Sequence, residues 1–391
     1  MKLAKVFVLA LLISLGGNFV VWAEEGTLSQ TGEVKAISVE TGYKDNFYLK
    51  TMDNKFRLDI YGYGQVRYTY QTNDITAKDD LSNLQVQRVR LGLKGFVMSD
   101  KLKYQLLLSA SQSGEFDKVS LLDWFVDYSP VNELGVRVGQ FKVPYSTSFT
   151  ISASELQFVE RTQVDSNFRL DRDNGINLSG KVFNSKLTYN LGIYNGEGRN
   201  KTNPDNGNLC SGRVIFEPLG KYPYHESDNE RSDKPLVMLS AAFATSKDQA
   251  DSSNTNLSGR LASTALGVSD VTSYNAFVGV KYSGASLHGE YYQRAINPEN
   301  NGISDETGDG YYIQAGYFVV PKIVEIAARY ESFDPNKDKD NDNRNEYGGG
   351  INYFFKGHRN KIQADFFKIK DEAGKNGDDD SRLRVQYQLS F

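Results

Sequence analysis

Hydrophobic and polar residues alternate along most of this chain, and the pattern is clearest at its C terminus. In residues 382–391, apolar side chains occupy every odd position and polar side chains every even one, and the last residue is Phe391. A β-strand with this alternation has one face suited to an apolar phase and one suited to water. The ending is typical of the closing strand of a membrane-embedded β-barrel, although a half-buried soluble sheet could use the same pattern.

The N terminus favours the barrel, because it has the features of a secretory signal. Lys2 and Lys5 precede the mostly apolar residues 6–21, and Ala23 offers a small residue at a cleavage position. We expect residues 1–23 to be a signal peptide that is removed from the mature protein. No later segment approaches the roughly 18 consecutive apolar residues that a spanning helix requires. The sequence therefore predicts a protein of the outer membrane of a Gram-negative-type bacterium.

The alternation predicts an all-β fold, a transmembrane antiparallel β-barrel of about 16 strands. The predicted strands are 56–71, 84–97, 101–111, 119–129, 134–142, 175–183, 186–194, 211–217, 235–245, 273–282, 285–295, 310–320, 322–332, 346–355, 360–369 and 382–391. The least regular is 211–217, since Pro218 and Gly220 end it early. The predicted domains are the signal peptide, an N-terminal periplasmic arm over residues 24–50, and the barrel over residues 51–391.

Connection lengths also alternate along the predicted barrel. Tight turns such as Ser283-Gly284 join one set of hairpins, whereas long polar segments such as 143–174 join the other. This asymmetry is expected of a barrel with short periplasmic turns and long external loops. Pro144 ends the strand before segment 143–174, because proline lacks an N–H and fixes φ. That loop is a candidate for folding into the lumen; the alternative is a solvated surface loop.

Composition agrees with a barrel and excludes other classes. Aromatic residues make up 12% of the chain, with 24 Tyr and 22 Phe, as expected where aromatic girdles mark two membrane interfaces. The single cysteine, Cys210, allows no internal disulfide. The formal net charge of −4 does not resemble the basic footprint of a nucleic-acid binder.

The phase of each strand predicts which charged side chains face the lumen, because the apolar set must face lipid. Basic residues outnumber acidic ones among these inward positions. The predicted pore-lining, anion-attracting residues are Arg57, Arg67, Arg88, Arg90, Lys94, Arg137, Arg329 and Arg384. The loop after the fifth strand carries both signs of charge, and its predicted constriction residues are Glu155, Glu160, Arg161, Arg169 and Arg172.

Three stretches resemble a known family. They are Phe47 to Gln65 with its Gly-Tyr-Gly, Arg88 to Gly95, and Gly139-Gln140-Phe141-Lys142-Val143-Pro144-Tyr145-Ser146 followed by Glu155 to Arg161. In this order they resemble the phosphate-selective porins of types O and P, and the similarity runs from about residue 47 to residue 391. The resemblance implies a sixteen-stranded, homotrimeric outer-membrane channel whose third loop folds inward and narrows the pore. It does not by itself imply selectivity for phosphate.

These observations lead to a functional hypothesis: an outer-membrane porin for small hydrophilic solutes, with a preference for anions such as phosphate or organic acids. A basic wall in a narrow lumen raises the local concentration of anions. One alternative is a general diffusion porin whose basic residues are balanced by acidic loops, and another is a plugged surface adhesin. An enzyme is not expected, since the chain has only three histidines and neither a G-x-S-x-G nor an H-E-x-x-H motif. The expected partners are small solutes, outer-membrane lipid and further copies of the chain; no nucleic acid, cofactor or metal is implied.

Overall fold

A computed structural model describes residues 38–76, 78–110, 119–203, 207–249, 268–300, 302–372 and 379–391. The predicted signal peptide and the first part of the predicted periplasmic arm lie outside the described residues. Across the described ranges, no helix is long and apolar enough to cross a membrane.

Within these ranges the chain forms eighteen strands and two short helices. The strands are β1 (Val39–Lys44), β2 (Asn46–Thr51), β3 (Phe56–Gln71), β4 (Leu81–Val97), β5 (Ser99–Ala110), β6 (Ser120–Val131), β7 (Leu134–Lys142), β8 (Arg172–Val182), β9 (Leu187–Tyr194), β10 (Leu209–Phe216), β11 (Leu236–Gln249), β12 (Ser269–Tyr282), β13 (Ala285–Pro298), β14 (Glu306–Val320), β15 (Val324–Asp334), β16 (Arg344–Lys356), β17 (Asn360–Asp371) and β18 (Asp379–Ser390). The helices are α1 (Thr147–Thr150) and α2 (Gln163–Phe168).

Strands β3 to β18 form a closed antiparallel barrel of sixteen strands, in which each strand pairs with its neighbours in sequence. Strand β18 closes the barrel against β3, from Arg382 opposite Gln71 to Ser390 opposite Tyr63. All sixteen predicted strands are confirmed, with ends that differ by a few residues. The least regular of them, β10, pairs along its whole length with both β9 and β11.

The barrel is apolar outside and polar inside. On β13, Leu287 and Tyr291 are exposed, whereas His288, Glu290 and Arg294 are almost completely buried. This is the reverse of a soluble protein, in which charged side chains are rarely buried. Such an exterior requires an apolar solvent, and a closed barrel leaves no unpaired strand edge within it.

The two ends of the barrel differ in the length of their connections. At one end, the turn end, the strands are joined by Met98 alone and by residues 132–133, 183–186, 283–284, 321–323 and 357–359. Met98 and Ser283 have φ values of 66° and 50°, as tight hairpin turns require. Residues 217–235, between β10 and β11, also lie at the turn end but form a much longer connection. We call them the strap; the sequence analysis did not identify them as unusual.

The N-terminal segment contributes to the barrel wall, which the sequence analysis did not predict. Strand β2 forms a hairpin with β1 and pairs with the first part of β3, from Phe47 opposite Ile60 to Lys50 opposite Arg57. Strand β18 pairs with the remainder of β3, so β2 continues the line of β18 towards the turn end. At the end of β18, Phe391 and Gly62 of β3 exchange two backbone hydrogen bonds of 3.0 Å.

Candidate pore and constriction

Residues 143–171 connect β7 to β8 and fold into the barrel, as the sequence analysis expected; we call them the constriction loop. Val143, Tyr145 and Phe158 are almost fully buried there. The strand before the loop contains, near its end, a position that only glycine fits. Gly139 has φ +131°, and a Cβ at this position would lie 2.2 Å from the backbone oxygen of Trp124.

Carboxylates of the barrel wall hold the two helices of the constriction loop. Glu290 accepts a hydrogen bond from the N–H of Thr147 at 2.7 Å, and Glu331 accepts one from the N–H of Gln163 at 2.6 Å. Each carboxylate takes a second bond from the N–H of the following residue. These are the first residues of α1 and α2, whose N–H groups have no partner within the helix. The wall therefore supplies the acceptors that the helix ends lack.

Basic side chains of the wall satisfy carbonyl groups of the same loop. Lys361 Nζ donates to the backbone oxygen of Leu156 at 2.8 Å, and Arg329 donates to that of Glu160 at 3.0 Å. A buried backbone carbonyl without a partner would cost free energy comparable to a lost hydrogen bond. These inward charges thus make it possible to bury an irregular loop inside the barrel.

Glycines in the wall provide space for the loop side chains. A Cβ at Gly316 would lie 1.9 Å from Nε2 of Gln157, and one at Gly350 would lie 3.3 Å from the ring of Phe158. With Gly316 in place, Gln157 Nε2 donates to Ser286 Oγ at 3.0 Å and to Glu325 Oε1 at 2.6 Å. The loop is therefore fitted into the wall of β13–β16 rather than lying loosely over it.

Glu160 joins the constriction loop to the first two barrel strands. One of its carboxylate oxygens lies 3.0 Å from Arg67 Nη2 and 2.7 Å from Arg88 Nη2. Burial alone would raise the pKa of Glu160, but Arg88, Arg67 and Arg161 hold that pKa well below its ordinary value. The carboxylate is therefore charged at neutral pH, and Glu160, Arg67 and Arg88 form one ionic cluster.

A second buried ion pair lies at the seam between β17 and β18. Arg384 donates to both carboxylate oxygens of Asp365, each at 2.8 Å. Asp365 also accepts a hydrogen bond from the N–H of Val159 in the constriction loop at 3.1 Å. The bidentate geometry fixes Asp365 in the orientation that binds the loop.

An open passage remains on the opposite side of the lumen, beside β3–β7. It consists of two adjoining cavities of about 340 and 310 Å³ that share Lys94, Gln105, Phe125 and Arg137. We call this space the basic passage. The charged side chains that line it are Arg57, Asp59, Arg90, Lys94, Lys103, Asp123, Asp127, Arg137, Lys142 and Arg172.

Each acidic side chain of the basic passage pairs with an arginine. The pairs are Arg57–Asp59 at 2.7 Å, Arg137–Asp127 at 2.7 Å and Arg172–Asp123 at 2.8 Å. Arg90, Lys94 and Lys103, in contrast, form no ion pair with any residue that the structure describes. Lys142, the remaining cation of the lining, donates to the backbone oxygens of Phe149, Thr150 and Ile151. The pairs cancel in charge, so the unpaired cations leave the passage positive.

Aromatic rings hold two of the passage cations against the wall. The guanidinium carbon of Arg137 lies 4.1 Å from the ring centre of Phe125, and Lys94 Nζ lies 4.9 Å from that of Tyr61. Cation–π attraction favours these positions without neutralising the charge. The ring of Tyr61 therefore restricts Lys94 without compensating its charge, whereas Arg137 is also paired with Asp127.

Four cations, two from the constriction loop and two from the strands that flank it, surround the ring of Phe149. The distances to its centre are 4.6 Å for Arg169, 4.9 Å for Lys142, 5.6 Å for Arg161 and 5.7 Å for Arg172. Lys142 and Arg172 also line the basic passage. Lys142 and Arg172 belong to β7 and β8, whereas Arg161 and Arg169 belong to the constriction loop and do not line the passage.

The predicted site residues occupy three places in the structure. Lining the passage are Arg57, Arg90, Lys94, Arg137 and Arg172. Four others contact the constriction loop or bind a wall residue that contacts it: Arg67, Arg88, Arg329 and Arg384. Within the loop itself are Glu155, Glu160, Arg161 and Arg169. The influence of these side chains on anions stays a prediction.

Lys142 was not among the predicted site residues, because the alternation of β7 fails near its end. Beyond Gly139 and its positive φ, Phe141 and Lys142 both line the passage although they are adjacent in sequence. Strict alternation would turn one of them outward. The glycine in an otherwise alternating strand was the available signal.

The three histidines have structural partners. His288 Nε2 lies 2.8 Å from the hydroxyl of Tyr222, and His225 Nδ1 lies 2.6 Å from the backbone oxygen of Ser227. His358 Nδ1 lies 3.1 Å from Lys361 Nζ. Among the residues that the structure describes, no cluster of His, Cys, Asp or Glu is arranged to hold a metal ion.

This barrel is similar to known proteins in both sequence and structure. The family model "Phosphate-selective porin O and P" matches residues 60–391. An uncharacterized protein of Aquifex aeolicus is 27% identical over 298 residues, which cover 68% of this chain and 67% of that protein. The anion-selective porin from Comamonas acidovorans has a TM-score of 0.62 at 17% identity, covering 86% of this chain and 100% of that one. The trimer form of OmpT from Vibrio cholerae has a TM-score of 0.55 at 12% identity, with coverage of 86% and 100%.

These matches define a class, the outer-membrane porins, whose long loops face outward and whose short turns face the periplasm. Within that class, the chain belongs to the phosphate-selective porin O and P family. The family and the fold point to a channel rather than an enzyme.

Proposed function

We propose that this porin conducts small hydrophilic solutes along the basic passage and favours anions, with phosphate and organic acids as the expected solutes. The observation that carries the proposal is the charge balance of the passage. Each of its acids is paired with an arginine, whereas Arg90, Lys94 and Lys103 are not paired among the described residues. A positive wall in a confined, low-dielectric space concentrates anions and speeds their entry. The family, and the description of the Comamonas porin as anion-selective, agree with this proposal.

The test is single-channel recording of the refolded protein in a planar bilayer under a KCl gradient. We expect discrete conductance steps, a reversal potential directed towards the chloride equilibrium, and a reduction of the chloride current by added phosphate. A reversal potential near zero would identify a general diffusion porin. A cation-directed potential, or well-folded protein that gives no steps, would contradict the proposal.

We also propose that residues 1–23 are removed on export and that the mature barrel is a homotrimer in outer-membrane lipid. The positively charged start and apolar stretch of those residues support the first statement. The family and the trimeric Vibrio cholerae relative support the second. Intact-mass analysis of the mature protein and cross-linking in detergent would test them; a retained N terminus or a monomeric species would contradict the respective statement.

A further inference from the structure

The strap differs from the other described turns at the periplasmic end, which have four residues or fewer. It returns into the barrel instead of projecting from it: Tyr222, Glu226, Ser227 and Asp228 are almost completely buried. A polar segment with three prolines would ordinarily lie at the surface, because buried backbone needs partners. The partners of the strap therefore indicate what it does.

The strap is anchored to the barrel wall at both of its ends. Near its start, the Tyr222 hydroxyl lies 2.8 Å from His288 Nε2 and occupies space that a Cβ at Gly279 would fill. Near its end, Asp228 accepts a hydrogen bond of 2.7 Å from the N–H of Gly284 in the β12–β13 turn and one of 2.8 Å from the hydroxyl of Ser232 within the strap. These contacts fix the strap in one position beside β12 and β13.

Between these anchors, the strap binds the constriction loop directly. The N–H of Glu226 donates to the backbone oxygen of Glu155 at 3.1 Å, and Glu226 Oε2 accepts from the N–H of Gln157 at 2.8 Å. Glu325 on the wall joins the two segments, since it accepts from Ser227 Oγ at 2.7 Å and from Gln157 Nε2 at 2.6 Å. The innermost part of the constriction loop is thus held between the wall and the strap.

We propose that the strap supports the constriction loop from the periplasmic side, so that the two segments together close the half of the lumen beside β11–β17. Glu226 is the positioning residue. Solutes are then confined to the basic passage, a consequence that rests on the proposed channel function. The near-complete burial of inward-facing wall residues such as Lys281, Gln314 and Lys361 agrees with this closure.

A thiol-accessibility experiment tests the closure without any ion current. Ser286 is buried where the constriction loop meets the wall. In a Cys210→Ser background, Ser286→Cys is expected to resist a water-soluble maleimide while the strap is intact. It should react when a two-residue Asn-Gly turn, a common hairpin connection, replaces residues 219–236. Equal protection with and without the strap would overturn the proposal.

Single-channel conductance is the second readout. It uses point variants, so it remains available if the protein without the strap does not fold. We expect Glu226→Ala to raise single-channel conductance by about twofold, because freeing the loop widens the conducting area. Glu226→Gln keeps an acceptor for the N–H of Gln157 and should resemble the wild type, as should the exposed control Lys221→Ala. Wild-type conductance in Glu226→Ala would refute the supporting role of the strap. Failure of anion preference in the wild type would refute the proposed solute class and leave this comparison valid.

Discussion

The two halves of the barrel use the same kinds of inward side chain for different purposes. Beside β11–β17, the charged groups bind the constriction loop, as Glu331 and Lys361 do, or bind both the loop and the strap, as Glu325 does. Beside β3–β7, Lys94 and Lys103 face an open space and have no ionic partner among the described residues. One half supports irregular backbone, and the other keeps an open space, which is the proposed route for solutes.

The comparison shows that the charge of a pore wall cannot be counted from inward positions alone. An arginine paired with a carboxylate contributes little net field, and one that donates to a loop carbonyl does so inside a packed region. Only a charge that faces water and lacks a counter-ion attracts solute. Selectivity should therefore depend on few residues, and stability on many.

The largest effect is expected when the open half loses its unpaired cations. Replacing Arg90, Lys94 and Lys103 together with glutamine should lower the anion-to-cation permeability ratio about tenfold, since steering by a charged cleft changes entry rates by at least that much. Reversal potentials in a KCl gradient measure the ratio. The barrel should refold normally, because these side chains hold no loop contact among the described residues.

A matched control separates this local effect from the total charge of the protein. Lys186, Lys322 and Lys356 are exposed near the turn end and outside the passage. Their triple replacement with glutamine removes the same charge and should leave the reversal potential almost unchanged. If both triple variants shift the reversal potential equally, the cations of the basic passage have no special role in ion selectivity.

The next effect concerns stability at the border between the two halves. Glu160→Gln leaves Arg67 and Arg88 buried without their shared carboxylate, and breaking a buried ionic cluster costs about 4 kcal/mol of unfolding free energy. Denaturant unfolding followed by tryptophan fluorescence measures it. Glu155→Gln is the control: Glu155 forms no ion pair with a described residue and burial raises its pKa, so removing its charge should cost little. Equal losses in both variants would contradict this interpretation.

The sequence predicted the barrel well because lipid imposes the alternation on every strand. It could not predict how the constriction loop is held, since the wall partners are distant in sequence: Glu331 lies 168 positions from Gln163. Nor did it identify the strap, whose composition resembles that of an external loop. Counting strands could have identified the strap. The connection between the eighth and ninth barrel strands must lie at the turn end, where short turns are expected. The β1–β2 hairpin was missed because six-residue strands carry little periodic signal.

A smaller effect, confined to stability, is expected in the closed half. Arg384→Gln leaves Asp365 as an uncompensated buried charge, and we expect a loss of about 3 kcal/mol. Adding Asp365→Asn should recover part of that loss, because it removes the stranded carboxylate. Thermal unfolding measures both. Ion selectivity should change far less than in the triple variant; a comparable shift would show that Arg384 acts on solutes.

The smallest effect is a pH dependence that originates in the strap. Burial, and then the charge of Lys281, lower the pKa of His225 to about 4, whereas an unfolded histidine titrates near 6.5. Between these values the unfolded chain binds a proton that the folded barrel does not. Unfolding free energy therefore falls as the pH decreases through this window, by about 1–2 kcal/mol at pH 5 relative to pH 7. In His225→Gln, the melting temperature should depend less on pH, because the contribution of His225 is gone. His288 and His358 remain, so the contributions of these two histidines should be unchanged. An identical dependence in the variant and the wild type would show that protonation of His225 is not what weakens the strap.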